Sequence, residues 1–572
     1  MSPPLILLSW VLLLGFTSVK PAYATVAKAS VPTVTIRNGT LIGAFNAQFQ
    51  QDFFLGIPYA APPVGPLRLQ KPSAAEGWTG NKKATEYSPR CMWNSLNLID
   101  FSQNTTDPMD EDCLYLNIIR PSGTQAGEKL PVLVWIHGGG FHEGSARDGR
   151  NNGTFLVETS KKMKTPILFV TFNYRLGAFG ILPGNEIEKS GLANLNLQDQ
   201  RQALKWIQEN IAAFGGDPSR VTIMGESVGG LSVGFHLFAY GGRDERLFSG
   251  AIAQSGGPPL TIATTRNSKE READFQEVLE QAGCLNCTQP LACLREVPAD
   301  ILLQAGQKLP TRITVDGDMV GNLSAQLREG RFVRVPLMIG TTRNECTSFL
   351  QLEVKEPIST EGELRHFIGT SLGKRGISNE SIQRWSELYQ DEIENPSEGG
   401  LGTVLPNPDE QYGSQYGRAT LWMGDMMFAT NRRLSNQAWA HYGVPSYSFL
   451  FDTVTATMDP KTLGAAHFQE MPYVFGNTQG VGYDEDPFPS NIAERQKHYK
   501  LAEIMSRMWI SFVTTGSPNS HQIESDLDVN WPEYSRDKPQ NIVFSASRGT
   551  HLQYDTWRAE AIDMIAETYG AL

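Results

Sequence analysis

The residues of this chain that could do covalent chemistry most directly lie at positions 225–229, which read GESVG and match G-x-S-x-G. A serine hydroxyl is a poor nucleophile unless a tight turn presents it beside a base. Residues 221–224 have strand character, and residues 231–240 are compatible with a helix. Gly225 and Gly229 permit a tight turn between them because neither carries a side chain. The pattern predicts a nucleophile, Ser227, although so short a motif also arises by chance in a chain with 54 glycines.

A second glycine-rich segment could stabilise negative charge. Residues 137–141 read HGGGF and directly follow an apolar strand candidate at 131–136. Three glycines at a strand end let the backbone turn its N–H groups outward, and losing one such donor to an oxyanion costs ~2.7–4 kcal/mol. A glycine-rich surface turn is the alternative interpretation. HGGG and G-x-S-x-G nevertheless occur in the chain order that an α/β-hydrolase requires, each after a strand.

The same order places an acid, and then a general base, after the serine. His137 and His142 precede the serine and are excluded by order. His467 lies in a loop of small residues, GAAHF, beyond the strand candidate at 446–451. A loop past a strand end is where a base is expected to be presented. His441 falls in a helical stretch, so we expect His467 to be the base.

The candidate acid is a carboxylate just past another strand end. Glu345 follows the apolar run at 335–339 through the segment GTTRN. Asp316 and Asp318 are alternatives, but the sequence DGD is typical of a turn. Placement relative to the strand favours Glu345.

Apolar runs alternate with helical patterns along the chain. Runs that are apolar on both faces and joined by long connections are typical of parallel strands buried between helices. A helix is predicted over 197–214, which ends at a Gly-Gly pair. Residues 355–415 are polar and loop-rich, and we expect them to cap the sheet. The prediction is an α/β fold with one large, mostly parallel sheet flanked by helices, its strands including 131–136, 167–172, 221–224, 250–254, 335–339 and 446–451.

Composition limits the class of protein. The chain has 572 residues and a net charge of −12, with a pI near 5.4. This acidic balance argues against nucleic acid or another phosphate-bearing partner. With 40% hydrophobic residues the chain can bury a sizeable core. We expect residues 25–572 to form a single domain, because no repeat or low-complexity tract divides them.

The first 24 residues have the character of a secretory signal peptide. Residues 5–16 form an apolar run that is shorter than the ~20 residues a membrane span needs. The sequence AYA at 22–24 matches the small-residue cleavage pattern, although no Lys or Arg precedes the apolar run. The C-terminal residues carry neither a hydrophobic tail nor a retention signal. We therefore expect a secreted, extracellular protein with no integral membrane contact.

Sequons and cysteines agree with secretion. Six N-x-[ST] sequons are candidates for N-linked glycans, namely Asn38, Asn104, Asn152, Asn286, Asn322 and Asn379. An even number of cysteines favours disulfides in an oxidising compartment, and the six are Cys91, Cys113, Cys284, Cys287, Cys293 and Cys346. Residues 284–287 form a C-x-x-C, but it lacks both a thioredoxin-like pattern and a second pair at zinc spacing. We expect neither redox nor metal chemistry from it.

Eight motifs in order give the chain a resemblance to a known family. It resembles the cholinesterase-like branch of the α/β-hydrolases, the type-B carboxylesterases and lipases, and especially the secreted fungal members. The resemblance covers nearly all of the mature chain. The motifs are FLGIPYAAPPVG (54–65), EDCLYLNI (111–118), WIHGGGF (135–141), FNYRLGAFGIL (172–182), the run from NLQDQ to ESVGG (196–230), AIAQSGG (251–257), NECTSF (344–349) and HFQEMPYVFG (467–476).

This resemblance implies a secreted serine carboxylesterase that needs no metal or organic cofactor. Ser227 would be the nucleophile, Glu345 the acid and His467 the base, and a small-molecule or lipid ester would be hydrolysed through an acyl-enzyme. An interfacial lipase or a sterol esterase is the first alternative. A non-catalytic adhesion protein on the same scaffold is the second, but such relatives have typically lost triad residues.

The family's oxyanion donors correspond to the backbone N–H groups of Gly139, Gly140 and Val228. Most members have Ala where this chain has Val228, so its β-branched side chain is expected to narrow the acyl side. Most also have Gly where this chain has Cys346. If that turn requires a positive φ, Cys346 would be strained.

The family also pairs the cysteines that match Cys91 with Cys113 and Cys284 with Cys293. Cys287 and Cys346 are then either free or bonded to each other. In the lipases of this branch the first disulfide loop is the lid. Here that loop encloses 21 residues, 92–112, that read as polar. This favours an esterase acting on soluble or short-chain esters over a lipase.

Overall fold

The computed structural model describes residues 31–99, 101–102, 106–258, 269–354, 356–371, 377–523, 529–568 and 570. The expected signal peptide at 1–24 and the sequon at Asn104 lie outside these residues. Within the described residues, fourteen strands form two sheets. They are β1 (Thr33–Ile36), β2 (Gly39–Ile42), β3 (Ala44–Asn46), β4 (Gln51–Pro58), β5 (Asn81–Lys83), β6 (Tyr115–Pro121), β7 (Leu130–Ile136), β8 (Leu168–Phe172), β9 (Gly216–Glu226), β10 (Gly250–Gln254), β11 (Leu337–Thr342), β12 (Ser446–Phe451), β13 (Gln540–Phe544) and β14 (His551–Tyr554).

Helices connect most of these strands. They are α1 (Thr154–Lys162), α2 (Gly177–Gly180), α3 (Asn185–Lys189), α4 (Leu195–Asn210), α5 (Val228–Gly242), α6 (Lys269–Gln281), α7 (Pro290–Glu296), α8 (Ala299–Ala305), α9 (Leu323–Arg328), α10 (Thr347–Glu353), α11 (Glu361–Ser371), α12 (Asn379–Glu394), α13 (Tyr416–Gly424), α14 (Thr430–His441), α15 (Met471–Val474), α16 (Ile492–Thr515) and α17 (Ala559–Thr568). A π-helical turn, Asp425–Ala429, joins α13 to α14.

The larger sheet has eleven strands in the order β14-β13-β12-β11-β10-β9-β7-β8-β6-β4-β3. Its central pairings, from β8–β7 across to β12–β13, are parallel. The outer pairings are antiparallel. This confirms the prediction of an α/β fold with a large, mostly parallel sheet. Because β9 to β12 run parallel, their carboxyl ends meet at one edge.

The central strands are buried on both faces, as their continuous apolar sequences predict. In β7, Val132 and Val134 belong to the apolar cluster on the α4 and α5 face. Leu133 and Trp135 point the other way, into the cluster that contains much of α16. Strand side chains alternate between faces, so a strand packed by helices on both sides must be apolar at every position.

The predictions of individual elements were confirmed, but with shifted boundaries. The helix predicted over 197–214 is α4 followed by a 3₁₀ turn, Ile211–Phe214, and Gly215 ends it with a φ of +91°. The strand predicted at 221–224 is the longer β9. An N-terminal hairpin is also present, with β1 antiparallel to β2 in a small sheet completed by β5.

The interpretation of residues 355–415 as a loop-rich cap on the sheet is wrong. The segment contains α11 and α12, and α12 has a capping serine, Ser378, whose hydroxyl accepts from the Ser381 N–H. Trp385 and Tyr389 are one turn apart and buried, which gives α12 an apolar face. That face packs in an apolar cluster with Trp422 of α13 and Ile565 of α17. Polar composition concealed an amphipathic helix.

Two disulfides are present, Cys91–Cys113 and Cys284–Cys293. Cys287 is exposed and Cys346 is buried, and neither belongs to a disulfide. Over the described ranges of the chain, no helix is both long enough and apolar enough to cross a membrane.

Candidate active site

Ser227 occupies a sharp turn between β9 and α5. Its φ and ψ are +56° and −126°, a conformation that non-glycine residues rarely adopt. The neighbouring glycines explain how the turn closes. A Cβ on Gly229 would lie 2.1 Å from the backbone oxygen of Ile136, and one on Gly225 would lie 2.3 Å from Gly229. The turn that the G-x-S-x-G pattern predicted therefore exists, with a strained serine at its tip.

The glycine loop after β7 directs two N–H groups to one side. The Gly139 carbonyl accepts from the His142 and Glu143 N–H groups, at 2.8 and 2.9 Å. Since a trans peptide holds its C=O and N–H on opposite sides, the Gly140 N–H points away from those donors. The Gly138 carbonyl is bound in the same way by Nδ1 of His137, at 2.9 Å, which turns the Gly139 N–H outward. Gly139 and Gly140 have φ of +105° and +61°, which suit glycine.

The order of motifs along the chain did not reveal that His137 contacts the glycine loop. Its ring stacks on Tyr174 with centroids 4.2 Å apart. The Tyr174 hydroxyl donates to the His137 carbonyl at 2.6 Å. Burial lowers the pKa of His137 to about 4, so the imidazole is neutral at physiological pH. The residue excluded as a base thus orients the glycine loop.

His467 and Glu345 are brought together by two loops at the carboxyl edge of the sheet. Nδ1 of His467 donates to Oε2 of Glu345 at 2.6 Å. Oε1 of Glu345 accepts from the Thr342 N–H at 2.8 Å. The two loops are joined by their backbones, because the Asn344 N–H donates to the Ala465 carbonyl at 2.9 Å. Both side chains are buried.

Glu226, the variable residue of G-x-S-x-G, occupies the other side of the imidazole. Its Oε1 lies 3.1 Å from Nε2 of His467. Within the described residues, Nε2 has no hydrogen-bond partner, so the Ser227 hydroxyl is not bonded to it. Burial, and then the carboxyl groups of Glu470 and Glu345, raise the pKa of Glu226 well above its usual value. The motif shows a glutamate here, but only the fold reveals that it faces the histidine.

Glu470 adds a third carboxyl group. Its Oε1 accepts from Nε2 of Gln254 at 2.9 Å, and Oε1 of Gln254 accepts from Nε1 of Trp509 at 3.1 Å. Burial raises the pKa of Glu470 to about 7, with the carboxylate of Glu345 contributing. The histidine is therefore surrounded by three carboxyl groups in different hydrogen-bonding environments.

A cavity of about 210 Å³ opens at Ser227. Gly140 and Val228 line it, which places two of the three expected oxyanion residues beside the serine. Two of its aromatic residues, Phe349 and Phe428, each lie with ring centroids 5.0 Å from the His467 ring. The remaining walls are mostly apolar, from Leu96, Leu98, Phe101, Phe141, Leu231, Phe235, Ile313 and Met427.

The 92–112 loop therefore does not behave as the polar segment that its composition indicated. Three of the cavity residues, Leu96, Leu98 and Phe101, come from it. A loop of polar composition can still turn some of its apolar side chains inward, as these three residues do, while Ile99 and Met109 stay exposed. The interpretation of this loop as simply polar is wrong.

The rejected candidates lie in ordinary structural settings. Asp316 accepts from the Asp318 N–H and from Nδ2 of Asn194, as expected for a turn. His441 ends α14. Cys346 has a φ of −103°, so the conditional expectation of strain there does not apply. Its Sγ lies 3.8 Å from Sδ of Met427.

One cluster of sulfur atoms has the closeness that a metal site requires. Across the described segments, one group of three such atoms lies within 4.8 Å, the sulfurs of Cys284, Cys287 and Cys293. Two of these are bonded to each other, which leaves a single thiol. Such a group lacks the four ligands that a structural zinc needs.

A strained serine after a strand, a carboxylate-bound histidine and outward-facing glycine amides define the site of an α/β-hydrolase. The model of the carboxylesterase family matches residues 30–560. The chain is 33% identical to secreted lipase 1 of Botryotinia fuckeliana, over 94% of this chain and 93% of that protein. It therefore belongs to the carboxylesterase family.

Solved structures agree on the fold. EstA of Aspergillus niger superposes with a TM-score of 0.78 at 26% identity, over 95% of this chain and 98% of that one. The carboxylesterase EST55 of Geobacillus stearothermophilus gives a TM-score of 0.74 at 31% identity, over 93% and 99%. The α/β-hydrolase fold is confirmed, and the chain is a carboxylic-ester hydrolase.

Proposed function

We propose that the protein hydrolyses esters through an acyl-enzyme formed on Ser227. The observation that carries this proposal is the 2.6 Å hydrogen bond from His467 to Glu345 at the sheet edge where Ser227 follows β9. A carboxylate bound to Nδ1 keeps the imidazole in the tautomer whose Nε2 can accept a proton. Ser227, Glu345 and His467 then act as nucleophile, acid and base.

The reaction has two halves. Nε2 of His467 takes the Ser227 proton as Oγ attacks the ester carbonyl, and the N–H groups of Gly139, Gly140 and Val228 bind the oxyanion. The intermediate collapses, and the alcohol leaves with the proton from His467. Water then attacks the acyl-serine by the same route and releases the carboxylic acid.

Before the first proton transfer, the Ser227 hydroxyl must replace Glu226 as the neighbour of Nε2 of His467. Nε2 of His467 is 3.1 Å from Glu226 in the absence of substrate. Catalytic hydrogen bonds are commonly long in unliganded enzymes and shorten when substrate binds. A small rotation of the imidazole about its bond to Glu345 exchanges Glu226 for the Ser227 hydroxyl.

The size of the cavity favours substrates with short acyl groups. An apolar protein cavity of about 150 Å³ accommodates benzene. The present cavity of about 210 Å³ is therefore suited to a single ring or a short chain. The side chain of Val228 narrows it further. We favour an esterase acting on soluble or short-chain esters.

An interfacial lipase is the second candidate. The observation that favours it is the apolar contribution of Leu96, Leu98 and Phe101 from the first disulfide loop. The related Botryotinia fuckeliana protein is also named a secreted lipase.

The name of that related protein supports extracellular localisation for this chain as well, in agreement with the signal-like residues 1–24 and the two disulfides.

Hydrolysis of p-nitrophenyl butyrate tests the proposal. Ser227→Ala should reduce the rate to background. Ser219→Ala, which changes an exposed serine near the start of β9, is the matched control and should leave the rate unchanged. Residual activity of Ser227→Ala near the wild-type level would show that another group is the nucleophile.

Acyl-chain length separates the two candidates. Rates on p-nitrophenyl esters of rising chain length should peak at short chains and vary smoothly through the concentration at which micelles form. A jump in rate at the interface would favour the lipase.

A further inference from the structure

Glu143 connects two parts of the cavity that are far apart in sequence. Its backbone N–H donates to the Gly139 carbonyl at 2.9 Å and so helps to fix the peptide that presents the Gly140 N–H. Its side chain extends in another direction, into the loop closed by Cys91–Cys113. The residue is 1% exposed.

The carboxylate holds a turn of that loop. The Ser102 hydroxyl donates to Oε1 of Glu143 at 2.5 Å. The same hydroxyl accepts from the Leu98 N–H at 2.9 Å, and the Ser102 N–H donates to the Leu98 carbonyl at 3.0 Å. Leu98 and Ser102 are thus joined by two hydrogen bonds, and the Ser102 side chain is tied to Glu143. A hydrogen bond to an ionised carboxylate is stronger than one between neutral groups.

This turn carries a wall of the cavity. We call Leu96, Leu98 and Phe101 the loop wall, since all three line the cavity at Ser227. The wall packs directly on the glycine loop, because a Cβ on Gly140 would lie 2.8 Å from Cδ1 of Leu96. Phe101 packs edge-on against Phe468, with centroids 4.7 Å apart.

The buried Glu143 carboxyl lies near two arginines. Burial raises its pKa, and the hydrogen bond from Ser102 and the charge of Arg150 oppose that rise. Glu143, Arg90 and Arg150 line the same small cavity of about 20 Å³. Arg90 in turn binds the far part of the loop, because its Nη2 donates to the Asp107 carbonyl at 2.6 Å. The loop is thereby bound at two points, at Ser102 and at Asp107.

We propose that Glu143 is a positioning residue that sets which acyl groups the cavity accepts, because it fixes the loop wall and the Gly139–Gly140 peptide as one unit. The proposal rests on ester hydrolysis at Ser227. The backbone of Glu143 orients an oxyanion donor, and the Glu143 carboxylate sets how closely the loop wall approaches the reacting carbonyl. Acyl selectivity and oxyanion alignment are therefore coupled through one side chain.

Kinetics on butyrate and octanoate p-nitrophenyl esters test the selectivity. Ser102→Ala keeps Glu143 and removes the donor, and Glu143→Ala removes the acceptor. In each, the octanoate-to-butyrate ratio of kcat/KM should rise about tenfold, the order expected when a hydrogen bond to a charged group is lost. The change should appear mainly as a higher KM for butyrate. Glu143→Gln keeps an acceptor oxygen and should restore most of the wild-type ratio.

Two comparisons isolate the Ser102–Glu143 pair. The double variant Ser102→Ala/Glu143→Ala should match Glu143→Ala, because without the Glu143 carboxylate the Ser102 hydroxyl has no bond to it left to lose. Asp110→Asn removes an exposed charge from the same loop and should leave the ratio unchanged. A double variant whose effects add, or an unchanged ratio in Ser102→Ala, overturns the proposal.

Amide hydrogen exchange supplies a readout that needs no activity. The amides of Phe101 and Ser102 should exchange faster in Ser102→Ala and Glu143→Ala than in the wild type or Asp110→Asn. Unchanged exchange in both variants overturns the proposal even if hydrolysis at Ser227 holds. Faster exchange in a protein that hydrolyses no ester would instead support the Glu143 contact and refute the proposed function. If Glu143→Ala does not fold, Ser102→Ala carries the test.

Discussion

Three carboxyl groups surround one imidazole in this site, and each has a different environment. Glu345 accepts two hydrogen bonds, from the Thr342 N–H and from His467. Glu226 has no hydrogen-bond partner for either carboxyl oxygen within the described residues, and burial raises its pKa. Glu470 is bound by Gln254. The hydrogen bond from Nδ1 of His467 suits Glu345 to the proposed role of the acid.

Glu345→Gln should lower kcat by about 10³ to 10⁴ with little change in KM. Replacing a triad carboxylate by an amide favours the wrong imidazole tautomer and leaves the imidazolium unstabilised. Initial rates on p-nitrophenyl butyrate measure the effect. Glu363→Gln, at an exposed carboxylate of α11, is the control and should behave as the wild type. A loss of less than tenfold in Glu345→Gln would exclude Glu345 as the acid.

Glu470→Gln should flatten the decline of stability with rising pH. Burial raises the pKa of Glu470 from 4.5 to about 7. Between these values the folded chain holds a proton that the unfolded chain has released, so stability falls by about 1.4 kcal/mol per pH unit as pH rises. The contribution is fully present below 4.5 and is lost as pH rises through 7.

Thermal unfolding at pH 5 and pH 8 measures this effect. Tm of Glu470→Gln minus Tm of the wild type should be larger at pH 8 than at pH 5. Glu380→Gln, at an exposed position of α12, should show no such trend. A constant difference for Glu470→Gln would mean that the folded carboxyl ionises at its ordinary pH.

At the scale of elements, the β9–α5 turn is packed so closely that an added side-chain atom would collide with backbone. A Cβ on Gly229 would lie 2.1 Å from the Ile136 oxygen and 2.9 Å from that of His137, both of them backbone atoms of the segment that carries the glycine loop. Gly229→Ala should therefore destabilise the protein by about 3 kcal/mol or more. A Cβ on Gly362 in α11 would make only an ordinary contact, 3.9 Å from Oγ1 of Thr360, so Gly362→Ala should be neutral or slightly stabilising. Denaturant unfolding of both variants decides, and equal stabilities would contradict the packing argument.

The sequence predicted those elements whose patterns are local. Continuous apolar runs located the central strands, and the serine, the histidine and the acid each followed a strand end. The prediction for residues 355–415 misses α12 even though its pattern is local, because Ile382, Trp385 and Tyr389 recur at helical spacing within a polar segment. The inward turn of Leu96 and the contact of Glu226 with His467 depend on tertiary packing, which no local pattern reports.

For the whole molecule, the surface determines which sequons can carry glycans. Asn286, Asn322 and Asn379 are exposed, whereas Nδ2 of Asn38 donates to the Ala75 carbonyl at 2.8 Å. Nδ2 also lies 3.4 Å from the Glu76 carbonyl, and a glycan replaces one of its two hydrogens, so modification of Asn38 would cost one of these two contacts. We expect modification at the three exposed sites and none at Asn38. Peptide mapping after enzymatic glycan release, which converts modified Asn to Asp, measures occupancy, and a fully occupied Asn38 would contradict this prediction.

The central claim is that Ser227 is activated by His467 and Glu345, and covalent labelling tests it most directly. A p-nitrophenyl alkylphosphonate should modify one residue, Ser227, with loss of activity proportional to the label found by peptide mass spectrometry. His467→Gln should slow labelling by at least about 10³, the order expected when the general base is removed. Labelling of His467→Gln at the wild-type rate, or a label at a residue other than Ser227, would contradict the account.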